Sequence, residues 1–168
     1  MFQIAFSGAL SPANILFLKH LAEKGNRLLI ANSKNFSEDI ITKFQQQTPD
    51  VEIEITTCLR DRCWEADIII LSSEIAYDNQ VLKNISEVAT QKLVLCISEG
   101  NNYEEFNKLE QFLSHSKLAL VRLNSQKREA LILMTSEEAG PGQFFEGINY
   151  TLVPEKQKNR KHFSLTQK

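Results

Sequence analysis

The first residues with a chemical role to consider form the segment Gly8-Ala9-Leu10-Ser11-Pro12-Ala13, which follows a short apolar run. It stands where a dinucleotide fingerprint G-x-G-x-x-G/A would lie. Gly8 permits the tight turn and Ala13 allows close helix–strand packing, but Leu10 replaces the glycine that lets a pyrophosphate approach the backbone. Pro12 removes an N–H group that would otherwise face a phosphate. Dinucleotide binding and a scaffold that has lost its cofactor both stay open.

A second polar segment, Asn32-Ser33-Lys34-Asn35, follows the apolar run Arg27 to Ala31. NAD sites usually carry an acid here for the ribose hydroxyls, whereas a 2′-phosphate requires hydroxyl donors and positive charge. Since no acid is present and both Ser33 and Lys34 can bind a phosphate, a bound dinucleotide is predicted to be NADP. An ordinary polar turn of the same composition is the equally weighted alternative.

Three further segments follow apolar runs and belong to the same predicted crevice, namely Ser72 to Ile75, Ser98 to Asn101 and Asn124 to Gln126. The complete set of predicted cofactor-binding residues is Gly8, Ala9, Leu10, Ser11, Asn32, Ser33, Lys34, Ser72, Ser73, Ser98 and Asn124. No catalytic residue and no metal ligand is predicted. Hydride transfer between cofactors requires positioning by the protein, so the lack of an acid–base dyad excludes nothing. His20, His115 and His162 are interpreted as surface or structural residues.

The elements that must position these residues alternate regularly between strand and helix. Ser11 is a suitable N-cap and Pro12 a suitable first helical residue. Strands are predicted at 3–7, 27–31, 51–55, 67–71, 92–97, 117–123 and 130–134, and helices at 11–24, 37–47, 59–65, 77–88, 103–113 and 137–148. This order predicts an α/β, Rossmann-like, doubly wound and mostly parallel sheet with helices on both faces.

Length and charge limit what else the chain can be. Its 168 residues and net charge of -2 suit one domain that binds neither nucleic acid nor membrane, and a cytoplasmic location is expected. We assign the domain to residues 1–150. Residues 151–168 carry five Lys and Arg against one acid and are predicted to form a basic tail, which docks either on its own sheet or on a partner subunit. Cys58, Cys63 and Cys96 are too few and too uneven for a disulfide framework.

Several of these pieces together resemble a known family over roughly residues 1 to 140. They are GALSPA after the first strand, ANSKN after the second, WEAD running into IIILSS, KLVLCIS, and Leu123-Asn124-Ser125. This order is similar to that of deazaflavin-dependent NADP reductases, and to the N-terminal domains of pyrroline-5-carboxylate reductases. The resemblance implies that Ser33 and Lys34 hold the 2′-phosphate of NADP and that Ser72 and Ser73 lie beside the nicotinamide.

The same resemblance implies that Asn124 lies near a second cofactor or substrate. It predicts an NADP-binding oxidoreductase that transfers a hydride between NADP(H) and a second redox cofactor or small acceptor. Because one domain cannot enclose a substrate, a homodimer is expected to complete the site. The alternative is a non-catalytic Rossmann-like domain that senses a nucleotide or acts as a scaffold, which Leu10 and Pro12 favour.

Overall fold

Strands and helices alternate along the chain as the sequence predicts. The computed structural model describes residues 1–31, 38–76, 78–98, 103–124, 129–135 and 150–152. Within these ranges the strands are β1 (Gln3–Ser7), β2 (Arg27–Ala31), β3 (Ile53–Thr56), β4 (Ile68–Ser72), β5 (Leu93–Ser98), β6 (Lys117–Asn124), β7 (Glu129–Thr135) and β8 (Tyr150–Leu152). The helices are α1 (Pro12–Glu23), α2 (Glu38–Gln47), α3 (Leu59–Glu65), α4 (Ser73–Ala76), α5 (Asn79–Ile85) and α6 (Tyr103–Phe112).

The strands form one sheet in the order β3-β2-β1-β4-β5-β6-β7-β8. Strands β1 to β6 are parallel to one another, whereas β7 is antiparallel to β6 and β8 is parallel to β7. The strand order reverses beside β1, which lies between β2 and β4. This arrangement confirms the predicted doubly wound, mostly parallel fold.

Strand β4 shows why the sheet must be covered on both faces. All five of its residues are buried. Ile68 and Ile70 pack into one core cluster with Phe17 and Leu18 of α1. Ile69 and Leu71 belong to a second cluster on the opposite face, which includes residues of α3, α5 and α6. Because successive side chains of a strand point to opposite faces of the sheet, this continuously apolar strand contributes side chains to two separate cores.

Some predicted boundaries are wrong by a few residues. The segment after β4, expected to be a loop followed by a helix over 77–88, instead contains α4 directly after Ser72 and then the shorter helix α5. Asp78 separates the two helices and caps α5 by accepting hydrogen bonds from the N–H groups of Gln80 and Val81. A side-chain cap of this kind starts a new helix at a fixed residue.

The chain beyond β6 extends the sheet. Residue Ala130 of β7 is in register with Tyr150 of β8, so residues 150–152 belong to the sheet. Strand β8 therefore crosses the predicted domain boundary, which follows residue 150. The predicted helix over 137–148 and the rest of the basic tail lie outside the described residues. In the part of the chain that the structure describes, no helix is long and apolar enough to cross a membrane.

Candidate functional site

The candidate site lies where β1 and β4 end side by side. From Ser7 the chain continues into the turn that leads to α1 on one face of the sheet, and from Ser72 it continues into α4. Ser7 and Leu71 are partners in the parallel ladder, so the residues that follow them meet at one edge. In open α/β sheets the crevice for a ligand forms at this reversal of strand order.

Gly8 forms the floor of this crevice and has no room for a side chain. Its φ of 137° lies in a region that L-residues rarely adopt. A Cβ atom built on Gly8 would overlap the Cβ and Oγ atoms of Ser72 and lie 3.1 Å from the Ser72 backbone nitrogen. Both the backbone conformation and the contact between β1 and β4 therefore require glycine at this position.

Leu10 does not lie over the crevice. The side chain is only 7% exposed and belongs to the core cluster that also contains Phe6 and Ala13. The replacement of the second motif glycine by Leu10 was expected to weaken contact with a pyrophosphate. In the structure the bulk of this side chain is directed into the protein interior, so it anchors the turn instead of covering it.

Ser11 starts α1 as predicted. Its Oγ accepts a hydrogen bond from the backbone N–H of Asn14 at 3.2 Å, and Pro12 occupies the first helical turn. The Asn14 side chain is buried and its Nδ2 donates to the Ala9 carbonyl oxygen at 2.8 Å. Two side chains thus hold the turn and the helix start in one conformation. The bracing by Asn14 was not predicted from the sequence.

The backbone N–H of Ala9 is already hydrogen-bonded to an acid. It donates to Oε2 of Glu74 at 3.2 Å, and the Ser72 hydroxyl donates to the same oxygen at 3.2 Å. Glu74 is exposed, whereas Ser72 is only 2% exposed. Backbone N–H groups of a turn before a helix commonly bind anions. In this protein the anion at the Ala9 N–H is a carboxylate of the chain itself, which sequence reasoning missed.

The other predicted residues are distributed along the same edge. Ser73 begins α4 and is half-buried, and Ser98 ends β5 and is only 4% exposed. Asn124 ends β6, three strand spacings from β1, a distance of about 14 Å. The structure thus brings Gly8 and Ala9 together with Ser72, and Ser11 follows in the same turn as the N-cap of α1. Asn32, Ser33 and Lys34 lie outside the described residues.

A lysine and a buried cysteine lie near the amino ends of the strands, at the opposite side of the sheet from the crevice. The Nζ of Lys92 donates to the backbone oxygens of Cys63 and Trp64, both at 2.6 Å, which satisfies carbonyl groups at the end of α3. Burial raises the pKa of the Cys63 thiol to about 12. This thiol is therefore protonated at neutral pH and is not a nucleophile. Among the described residues, no group of three His, Cys, Asp or Glu side chains is placed to hold a metal ion.

Solved structures with a similar fold are numerous, although no family model matches the chain and no curated protein sequence does so. Pyrroline carboxylate reductase from Plasmodium falciparum with NADP bound is 17% identical, with a TM-score of 0.66 and coverage of 94% of this chain and 59% of that one. Imine reductase from Myxococcus stipitatus in complex with NADP+ is 15% identical, with a TM-score of 0.57 and coverages of 91% and 55%.

The N-terminal domain of HmdIII from Methanocaldococcus jannaschii is 12% identical, with a TM-score of 0.64 and coverage of 92% of this chain and 100% of that one. By contrast, the chain spans less than three fifths of the length of the two reductases. At these identities the likeness establishes the fold, a Rossmann-like α/β domain.

Proposed function

We propose that this chain is an NADP-binding oxidoreductase domain that transfers a hydride between NADP(H) and a second redox cofactor or small acceptor. The observation that carries the proposal is the contact between Gly8 and Ser72 at the β1–β4 junction. It holds the backbone of the first turn against the neighbouring strand and leaves the crevice above them clear of side chains from Gly8 and Leu10. A dinucleotide requires this close access to the backbone.

The choice of NADP rests on the sequence after β2 and on the structural neighbours. Ser33 and Lys34 supply a hydroxyl and a positive charge for a 2′-phosphate, and no acid stands at 32–35 to repel it. Lysine acts here as a point charge, without the planar fork of arginine. The pyrroline carboxylate reductase and the imine reductase, which share the fold, are described with NADP bound.

The acceptor side of the proposed site lies toward β5 and β6. Ser72 and Ser73 would stand beside the nicotinamide, with Ser98 and Asn124 farther along the edge. Hydride transfer requires two carbon atoms held close and aligned, and the protein contributes by positioning them. A deazaflavin is the acceptor that the sequence resemblance suggests. A second copy of the chain would complete this side of the site, because a single sheet leaves it open.

Calorimetric titration with NADP and NAD tests the proposal directly. Calorimetry is preferable to tryptophan fluorescence because Trp64 lies near the amino ends of the strands, 71% exposed to solvent. We expect NADP to bind more tightly than NAD, and Lys34→Ala to remove that preference. Lys24→Ala is the matched control, since Lys24 is exposed at the far end of α1. An absence of binding at millimolar NADP would contradict the proposal.

A non-catalytic role as a nucleotide sensor or scaffold is the second candidate. The hydrogen bond between Ala9 and Glu74 favours it, because a carboxylate then stands where a phosphate would bind. A sensor binds NADP without oxidising or reducing an acceptor, whereas a scaffold shows no binding at all. Spectrophotometric assay of NADPH oxidation with flavin and deazaflavin acceptors separates these two roles from an oxidoreductase.

A further inference from the structure

The Glu74 carboxylate has a position that the proposed function does not explain. It lies at the crevice between β1 and β4, and a single oxygen, Oε2, accepts hydrogen bonds from the Ala9 N–H and the Ser72 hydroxyl. These two donors come from opposite sides of the junction, one from the turn after β1 and one from the end of β4. Together they form a small anion-binding site that an acid of the same chain already occupies.

A phosphate group would compete with this acid in two ways. It would have to replace Oε2 as the acceptor for the Ala9 N–H, and it would bring negative charge close to the Glu74 carboxylate. Like charges separated by a few ångströms repel one another even in water, and more strongly in a partly buried site. In the described part of the chain, no basic side chain forms an ion pair with Glu74 that would neutralise it.

We infer that Glu74 is an internal competitor for phosphate and sets the specificity of the crevice. A ligand with a pyrophosphate binds only when the Glu74 side chain swings away, whereas a ligand without phosphate at this point leaves the contact intact. This inference rests on the proposed function, because it assigns a selectivity to the same nucleotide site. It makes Glu74 a specificity residue with no part in hydride transfer.

The contact is built so that it can open. Glu74 is an exposed residue of the four-residue helix α4, and both of its hydrogen bonds are 3.2 Å long. This distance is at the long end of the usual range for the bond from the Ala9 N–H and beyond it for the bond from the Ser72 hydroxyl. The donors, in contrast, are fixed. Gly8 is pressed against Ser72, and the Asn14 side chain holds the Ala9 carbonyl group. When the acid leaves, both donors remain in place for a phosphate oxygen.

The test compares the native protein with Glu74→Gln and Glu74→Ala, using inorganic pyrophosphate as the probe in calorimetric titrations. Glu74→Gln removes the charge and keeps an oxygen acceptor, whereas Glu74→Ala removes both. Glu23→Gln is the matched control, because Glu23 is exposed at the other end of α1 and the change in net charge is identical. We expect pyrophosphate affinity to rise by about tenfold or more in both Glu74 variants and to stay unchanged in the control.

Pyrophosphate affinities that are equal in all four proteins would overturn the inference, and so would an absence of binding in the Glu74 variants. Circular dichroism first verifies that the variants are folded. The amide signal of Ala9 in ¹⁵N NMR spectra provides a second reading. It should shift in Glu74→Ala without ligand and shift again with pyrophosphate; an unchanged Ala9 signal in that variant would contradict the contact itself.

Titration of the same variants with NADP tests the proposed function separately. If the Glu74 variants gain affinity for pyrophosphate and none binds NADP, Glu74 competes with phosphate as inferred, but the crevice is not an NADP site and the proposed function fails. If every variant binds NADP with the same affinity and pyrophosphate binding does not change, the proposed function stands and the inference fails.

Discussion

Gly8 and Ser72 lie in direct contact although 64 residues separate them, and the Ser72 side chain occupies the space that a Gly8 side chain would need. The contact joins the ends of β1 and β4, the two strands that flank the reversal of strand order. It fixes the turn that carries the Ala9 N–H group. Gly8 therefore determines the shape of the crevice in two ways, by its own backbone conformation and by its close contact with the end of β4.

Gly8→Ala is expected to lower the free energy of unfolding by more than about 3 kcal/mol, because strain at positive φ adds to overlap with Ser72. Gly25→Ala is the matched comparison. Gly25 also has a positive φ, of 83°, but a Cβ there meets no atom within 4 Å, so the expected loss is about 1 kcal/mol. Urea denaturation measures both. Equal losses would show that conformation alone, without the Ser72 contact, determines the cost.

The alternation of apolar runs with helical spacing was sufficient to predict β1 to β7, whereas β8 was not predicted. The central runs, such as β4, are apolar at every position because the strand is buried on both faces. The Ser11 cap was also readable, since a cap acts on its own helix. The contacts of Glu74 were not, because its partner Ala9 lies 65 residues away and becomes a neighbour only when β1 pairs with β4.

Asn14 had a local signal that was overlooked. It lies five residues after Ala9, at the third position of α1, where its side chain reaches back to the turn. An amide side chain at such a position can replace a missing backbone partner. The direction of the Leu10 side chain could not be predicted for a related reason. The motif shows which residue type is present, but only the packed structure shows that the side chain enters the core.

Leu10→Ala is expected to destabilise the protein by about 2 kcal/mol and to leave pyrophosphate affinity unchanged, because the deleted atoms belong to the core and not to the crevice. Thermal or urea unfolding gives the first value and calorimetry gives the second. Tighter pyrophosphate binding in this variant would show that Leu10 obstructs the site after all.

Asn14→Ala is expected to cost about 1 to 2 kcal/mol, since it removes the donor to the Ala9 carbonyl group and leaves that acceptor partly buried. Ser11→Ala, which removes the cap of the same helix, should cost about 1 kcal/mol. Because both side chains hold one turn, the double variant should cost less than the sum of the single ones. A strictly additive double variant would indicate that the two bonds are independent.

Arg62→Ala and Arg60→Ala should differ clearly although the two residues are neighbours on α3. The Arg62 side chain is 17% exposed and forms ion pairs with Glu54 and Glu65, whereas the Arg60 side chain is 53% exposed and forms an ion pair with Glu87. We expect a loss of about 2 kcal/mol for Arg62→Ala and less than about 0.5 kcal/mol for Arg60→Ala. Urea denaturation at low and high salt measures both, and similar losses would contradict the distinction.

Because the Cys63 thiol is buried, we expect the protein to lose stability at alkaline pH. Burial raises the pKa of its thiol from an ordinary value of 9.0 to about 12. The folded protein therefore holds this proton more tightly than the unfolded chain does. The resulting stability is complete below pH 9 and is lost as the pH rises toward 12, by up to about 1.4 kcal/mol per pH unit.

Cys63→Ala should remove this alkaline slope, even though the variant is somewhat less stable at pH 7 because a buried side chain is truncated. Cys58→Ala is the control, since Cys58 is exposed and burial, not Cys58, is the largest cause of the raised pKa of Cys63, so most of the slope should remain. Urea denaturation of the three proteins between pH 8 and pH 10 measures how the free energy of unfolding changes with pH in each. Lysine and tyrosine side chains titrate in all three proteins, so their contribution cancels when the proteins are compared. Parallel pH profiles for the native protein and Cys63→Ala would show that the thiol does not titrate as its burial requires.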